Sequence, residues 1–385
     1  MTIASANEAA LRFGVESTYN TAPANMQVIE ATSEDFQQNT QTTRSRKIRA
    51  DRQSNGAVRT GVNATGTLNG ELSYGTFDDL FESLFQSAGW SSAVTVISAS
   101  VNVAFTASGA VVDLSTGSWT NTPTVGAWLQ IAGSTSNNVV GKVATATTNQ
   151  FTLTFATLQD EAEGDSVTIT QGAQIVNGTT FSSFHFERQY TDLSSEYVRY
   201  GGMSPNTFEM AVGTANVVTV AFGFLGSSEL SATSAVDASP TAATTTEVMN
   251  TVDHVSSVFE NGSSVQVTSI NLRYNNNLGE RLAVGTFGAI SLRSGTIEVG
   301  GAGQAYYESK ALADRSINFT TSSIVLVFTD AAGNVYVFDV PATKITTNRR
   351  NITGQNADVF NDFTFEAQPG DGGSVTMRLV RFPAS

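Results

Sequence analysis

FSSFHFERQY, residues 181–190, alternates apolar and polar side chains. In an extended strand that period puts Phe184 and Phe186 on one face and Ser183, His185 and Glu187 on the other. YVRYGGMSPNTFEMAV (197–212) and VVTVAFGFL (217–225) follow at hairpin spacing. The same pattern recurs at 94–104 (VTVISASVNVA), 151–155 (FTLTF), 166–170 (SVTIT), 324–328 (IVLVF), 335–340 (VYVFDV) and 361–367 (NDFTFEA). Thr and Val fit because branched β-carbons pack on a pleated surface. A mainly β chain with solvated sheet faces is expected.

Two segments carry a helical period. Thr76–Gln86 places Phe77, Leu80, Phe81, Leu84 and Phe85 on one stripe, with Thr76 as cap and Asp79 completing a capping box. Gln304–Asp314 is expected as a second helix, with Tyr307, Ala311 and Leu312 along one side. Each would lie across a sheet. The elements also repeat. Ala57-Val58-Arg59 leads through Gly66–Gly70 to the first helix, and Ala289-Ile290-Ser291 leads through Gly295–Gly300 to the second. Paired strands and a closing strand follow in both, an order consistent with a duplicated unit.

The expected organisation is a first β domain from 1–98 and 174–228, an inserted small β domain at 99–173, a flexible linker at 229–247 and a second β domain at 248–385. The insertion carries Trp119, Trp128 and its own Gly turns. Residues 227–246 (SSELSATSAVDASPTAATTT) are small, polar and aperiodic.

Composition excludes several chemistries. The 385 residues include no Cys and two His, which removes disulfides, thiolate nucleophiles and multi-histidine metal centres. Lys and Arg number 20 against 34 Asp and Glu, net −14. Such a chain is poorly suited to gripping duplex DNA, although it could surround it. Neither a membrane-spanning run nor a signal peptide is read, and the chain is expected to be soluble when made. His185 reads as a solvated strand residue. His254, after Asp253, has no matched nucleophile. Gly300-Gly301-Ala302-Gly303 lacks the Lys-Ser/Thr of a phosphate loop and reads as a turn. Asp160, Glu161, Glu163 and Asp165 read as a solvated hairpin rather than a calcium site. No catalytic, cofactor or metal residues are assigned.

The sharpest feature is basic. Arg44, Arg46, Lys47, Arg49, Arg52 and Arg59 are six of the 20 cationic side chains, crowded into sixteen positions. Aromatic interleaving is absent, which disfavours single-stranded nucleic acid. A loop tip meeting the acidic surface of another copy is preferred over a plain solvated loop.

ERQYTDL (187–193), YVRYGGMSPNTFEMAV (197–212), VAFGFLG (220–226), NNNLGERLAVGTFGA (275–289), GTIEV (295–299), AYYE (305–308) and YVFDVPATKIT (336–346) stand in an order that resembles the tail tube (major tail) proteins of long-tailed bacteriophages. The resemblance implies tandem tail-tube-type β-sandwich or barrel domains, each with a flanking helix, and an outward-facing inserted β domain. It implies strands joined edge to edge between neighbours into a barrel, and rings stacked head to tail. Arg44–Arg59 and its counterpart, with Arg273, Arg281 and Arg293, match the long loops that reach between rings. Two tube domains per chain would make a trimeric ring with pseudo-sixfold symmetry, preferred over a hexamer. The implied partners are further copies, tape measure, tail terminator and distal tail proteins, and double-stranded DNA passing unbound through the lumen, with no membrane. The implied location is the virion tail, after synthesis in the bacterial cytoplasm. Carboxylates lining the lumen would let the genome slide. The alternative is a carbohydrate- or cell-surface-binding virion adhesin, supported by the Trp-bearing insertion. A β-rich hydrolase is disfavoured.

Overall fold

The computed structural model describes residues 3–352 and 354–384; positions 1, 2, 353 and 385 of the expected domains lie outside the described residues. The first half contains β1 (Ala9–Val15), β2 (Gln37–Arg44) with a short lead-in strand at Ser33–Glu34, β3 (Ala57–Glu71) and α1 (Asp78–Leu84). After an inserted sheet come β4 (Ala173–Val176), β5 (Phe184–Tyr190), β6 (Tyr197–Gly213), β7 (Thr219–Gly226) and β8 (Ser228–Ala232). The second half runs β9 (Val255–Glu260), β10 (Val267–Asn275), β11 (Glu298–Tyr306), α2 (Ala311–Asn318), β12 (Thr321–Thr329), β13 (Val335–Arg350), β14 (Phe360–Ala367) and β15 (Arg378–Phe382).

β6 and β13, 17 and 16 residues long, each serve two sheets. The first part of β6 pairs with β5 and β8; beyond a register shift at Asn206, Thr207–Gly213 pairs with β7 on one side and β10 on the other. The first part of β13 pairs with β12 and β15; beyond a shift at Thr346, Thr347–Arg350 pairs with β14. The outcome is an antiparallel strip in the order β2–β3–β7–β6–β10–β11–β14–β13, four strands from each half. Smaller sheets, β1–β5–β6–β8 and β9–β12–β13–β15–β4, back it.

The core lies between these layers. Phe36 contacts Phe186, Tyr200 and Phe224, ring against ring. Phe81 of α1 meets Phe208 and Phe222 of the first half and Tyr336 and Phe338 of the second. The halves therefore share a core, and each buried ring contributes about 1.5–3 kcal/mol.

Both helices differ from expectation at their starts. α1 begins at Asp78, and no side chain caps it. Thr76 Oγ1 instead bonds Ser73 Oγ and Thr244 Oγ1, and the Asp78 carboxylate is held by the Tyr336 hydroxyl and Arg381. The second helix is Ala311–Asn318, because Gln304–Tyr306 extends β11. Its glycine run is strand, not turn. Gly301 and Gly303 lie opposite Phe365 and Phe363, whose rings would stand 2.7 and 2.6 Å from any added Cβ.

The inserted sheet has seven strands between Val94 and Gln171, so it starts ahead of residue 99. Trp119, Leu129, Phe151 and Ile169 belong to its own core. Trp128 instead belongs to a cluster with Val325, Val337 and Phe382, docking the insertion on the outer sheet of the second half. Residues 229–247, expected as flexible, are stitched down. β8 lies here, the Asp237 carboxylate accepts the Met26 N–H at 3.0 Å, and Thr241 exchanges backbone bonds with Met26 and Val28.

Candidate functional site

Alternation divides the strip into unlike faces. Met210, Phe222, Leu272 and Phe363 are buried beneath it. The registers place Glu71, Glu209, Glu298, Asp362 and Glu366 on the opposite, polar face with Arg273 and Arg349. Side chains there bond across strands: Asn39 donates to Thr65 Oγ1 at 2.8 Å, Gln304 donates to Asp362 at 2.8 Å, and Arg273 pairs with Glu209 at 3.2 Å. Ala211, Asn271, Ala302 and Gln304 line a shallow groove of about 730 Å³ on this face.

Among the described residues, neither end of the strip has a strand partner. One end is β2, exposed at almost every position; the other is the end of β13, Thr346–Arg350. Unpaired edges attract other strands and are usually guarded. Here the Glu34 and Glu229 carboxylates accept the backbone N–H groups of Phe36 and Gln38, at 3.0 and 3.2 Å.

The interior of the strip holds a junction built from corresponding strands. The shift at Thr346 in β13 matches that at Asn206 in β6. Asn271 Oδ1 accepts the Ala302 N–H at 2.6 Å, and Asp35 Oδ1 accepts the Thr67 N–H in the same place of the other half. β10 thus corresponds to β2 with its lead-in, and β6 to β13. The β6–β10 junction joins the two strand types that stand open at the ends.

The basic residues do not form two equivalent loops. Arg44 ends β2, and Arg46, Lys47, Arg49 and Arg52 are exposed in the 45–56 loop, where Arg49 pairs with Asp51. Arg59 lies on β3, its guanidinium 4.2 Å from the Phe287 ring centre. The 276–297 loop folds back on the first half: Phe287 O accepts the Val62 N–H at 2.8 Å, and Asn63 donates to Glu280 at 2.7 Å. Arg281 and Arg293 belong to a small hairpin in this loop, while Arg273 sits on the polar face. The hairpin tip exposes Leu282 and Val284.

Both histidines are buried. His185 Nδ1 is 3.4 Å from Glu16, whose carboxylate also accepts from Ser183, Asn20 and Gly202; residues following β1 cover a face that alternation alone makes polar. His254 Nδ1 accepts the Asn250 N–H at 3.2 Å. In the acidic run Asp160 and Glu163 are exposed, as expected, but the run does not close a hairpin, and Glu161 gathers Ser134, Ser136 and Asn137 around its carboxylate. No group of three or more His, Cys, Asp or Glu able to hold a metal occurs among the described residues.

Two ionic clusters have no simple sequence signal. Asp339 Oδ2, fully buried, accepts from Trp128 Nε1 at 2.9 Å, Lys142 at 3.0 Å and Arg378 at 3.2 Å. Asp78 is drawn toward Arg381 and Tyr336, yet burial outweighs them and raises its carboxyl above the ordinary range.

Residues 6–367 match the family model described as phage tail tube protein. No curated protein matches the chain. No helix among the described residues is long and apolar enough to cross a membrane.

Proposed function

The chain belongs to the phage tail tube protein family, a structural component of the virion tail, and from that premise we propose that its copies close edge to edge into rings that stack around a DNA passage. The observation that carries this reading is the strip itself, which has one junction already made within the chain and the two matching strand types open at its ends.

Geometry bears on the ring size. Strands stand about 4.8 Å apart, so three eight-stranded strips give a circumference of about 115 Å and a backbone diameter of about 37 Å, which strand tilt widens further. Two strips, sixteen strands, would close at about 24 Å and leave an aqueous channel of porin size, which inward side chains narrow below the width of a DNA duplex. Three chains are therefore the fewest that leave a channel wide enough for duplex DNA, and their six half-chains give pseudo-sixfold symmetry. The inner wall is the polar face, where carboxylates outnumber guanidinium groups and repel phosphate. The insertion, docked on the second-half outer sheet, projects away from the channel. The halves, 1–98 with 174–228 and 248–385, act as two tube domains, the insertion's sheet starting from Val94. The basic 45–56 loop reaches the rim of the next ring, and the ends of the tube meet other tail proteins.

Electron microscopy of the purified protein tests this. Rings or tubes of a single diameter support it; a monomer at every concentration overturns it.

A further inference from the structure

The junction inside the chain is a template for the junction between chains. It sets Thr207 opposite Asn275, Glu209 opposite Arg273 and Ala211 opposite Asn271. Carrying these positions through the matched shifts at Asn206 and Thr346 gives Thr347, Arg349 and Asn351 on one edge. Carrying them through the matched Asn271 and Asp35 bonds gives Asn39, Gln37 and Asp35 on the other. The two routes are independent, one resting on backbone register and the other on a side-chain bond.

Resting on the ring reading, we infer that β13 of one copy pairs antiparallel with β2 of the next in the register Thr347 to Asn39, Arg349 to Gln37 and Asn351 to Asp35, and that charge at this seam is inverted relative to the seam within the chain. Within the chain the β6-type strand brings an acid: Glu209 Oε1 lies 3.2 Å from Arg273 and 3.4 Å from Asn271 Nδ2. Between chains the equivalent strand brings a base. Arg349 stands beside Gln37 and the exposed Asp35 of the next copy, whose Oδ1 already holds the Thr67 N–H.

The inversion selects partners. If β13 took the place of β6 against β10, Arg349 would face Arg273. If β6 took the place of β13 against β2, Glu209 would stand opposite Gln37 with Asp35 as its diagonal neighbour. The first exchange sets like charges directly opposite one another, which is unfavourable, and the second brings them together diagonally on one sheet face. The inverted pairs thus discourage half-swapped chains. The Gln38 N–H now held by Glu229 passes to the backbone of Asn348 in the incoming strand, and the Glu229 carboxylate is released to solvent.

The chain has no native cysteine, so disulfide trapping is unambiguous. Residues directly opposite on antiparallel strands have Cα atoms about 4.5–5.5 Å apart, within disulfide reach. Asn39→Cys with Thr347→Cys in one chain is expected to give, on oxidation of assembled protein, a covalent ladder ending at the ring's own copy number. Asn39→Cys with Asn348→Cys, whose side chains leave opposite faces, is expected to give none. Arg349→Glu is expected to abolish rings while far-UV circular dichroism stays native, and Arg349→Glu with Asp35→Lys is expected to restore them. Wild-type rings without the 39–347 ladder overturn the register, and rings unaffected by Arg349→Glu overturn the charge selection. Both results leave the ring reading standing. Absence of rings in the unmodified protein overturns the ring reading and the seam with it.

Discussion

Asp339→Ala is the most informative single change for the way the insertion is held. The carboxylate is fully buried, and one oxygen serves Trp128 and Lys142 of the insertion and Arg378 of β15. The Lys142 and Arg378 side chains are themselves only 12 % and 9 % exposed. Removing one partner from a buried ionic group costs about 3–5 kcal/mol, because the remaining charges stay desolvated. Asp371 lies 3.7 Å from Lys142 and 2.7 Å from Arg378 and absorbs part of that loss, so the low end, about 3 kcal/mol, is expected. With a urea slope of about 3 kcal/mol per molar, the midpoint of unassembled protein falls by about 1 M. Hydrogen exchange should quicken in Val325–Val337, beneath Trp128, before it does in Phe81 and its neighbours. Asp339→Asn, which keeps an acceptor for the indole, should lose less than Asp339→Ala. A midpoint shift under about 0.3 M, or exchange unchanged beneath the insertion, would refute the view that this carboxylate fastens the insertion to the outer sheet.

Three further outcomes follow. Reversing Arg46, Lys47, Arg49 and Arg52 to Glu should leave rings intact but stop them stacking, seen as single rings by electron microscopy. Glu229→Ala frees the Gln38 N–H and should shorten the lag of assembly followed by light scattering at least severalfold. The Asp78 carboxyl has a raised folded pKa, chiefly from burial; its contribution to stability is therefore full below the ordinary carboxyl range of about 4 and is lost as pH rises through the raised value. The stability of Asp78→Asn relative to the unchanged protein should accordingly climb from about pH 4 to pH 7 in urea titrations; a flat difference would exclude Asp78 as the titrating group.

Strands were legible wherever period and burial agree. Phe184 and Phe186 alternate with polar residues and do face the core, as does Phe222 in its own strand. The second helix is expected too early because Tyr307, Ala311 and Leu312 share a helical spacing, while the feature that fixes the strand is a cross-strand match between Gly301, Gly303 and two phenylalanines far along the chain. His185 shows the limit of alternation. The period tells which side of the sheet it occupies, but not that Glu16 comes from 169 residues away to cover that side. Asp339 fails for the same reason, with partners on the insertion and on β15. The two long loops both carry arginines, yet the body of the 276–297 loop is tied to the first half, with Phe287 lying under Arg59.

β6 and β13 cross from the strip to its backing without a break in the chain. An oily contact between two layers can slip, but a covalent backbone shared by both cannot. In the proposed ring, bending or twisting of the wall would be carried directly into the backing layer at Asn206 and Thr346, twice in every subunit. A cylinder built in the proposed way would gain stiffness from thread that already belongs to both its lining and its jacket.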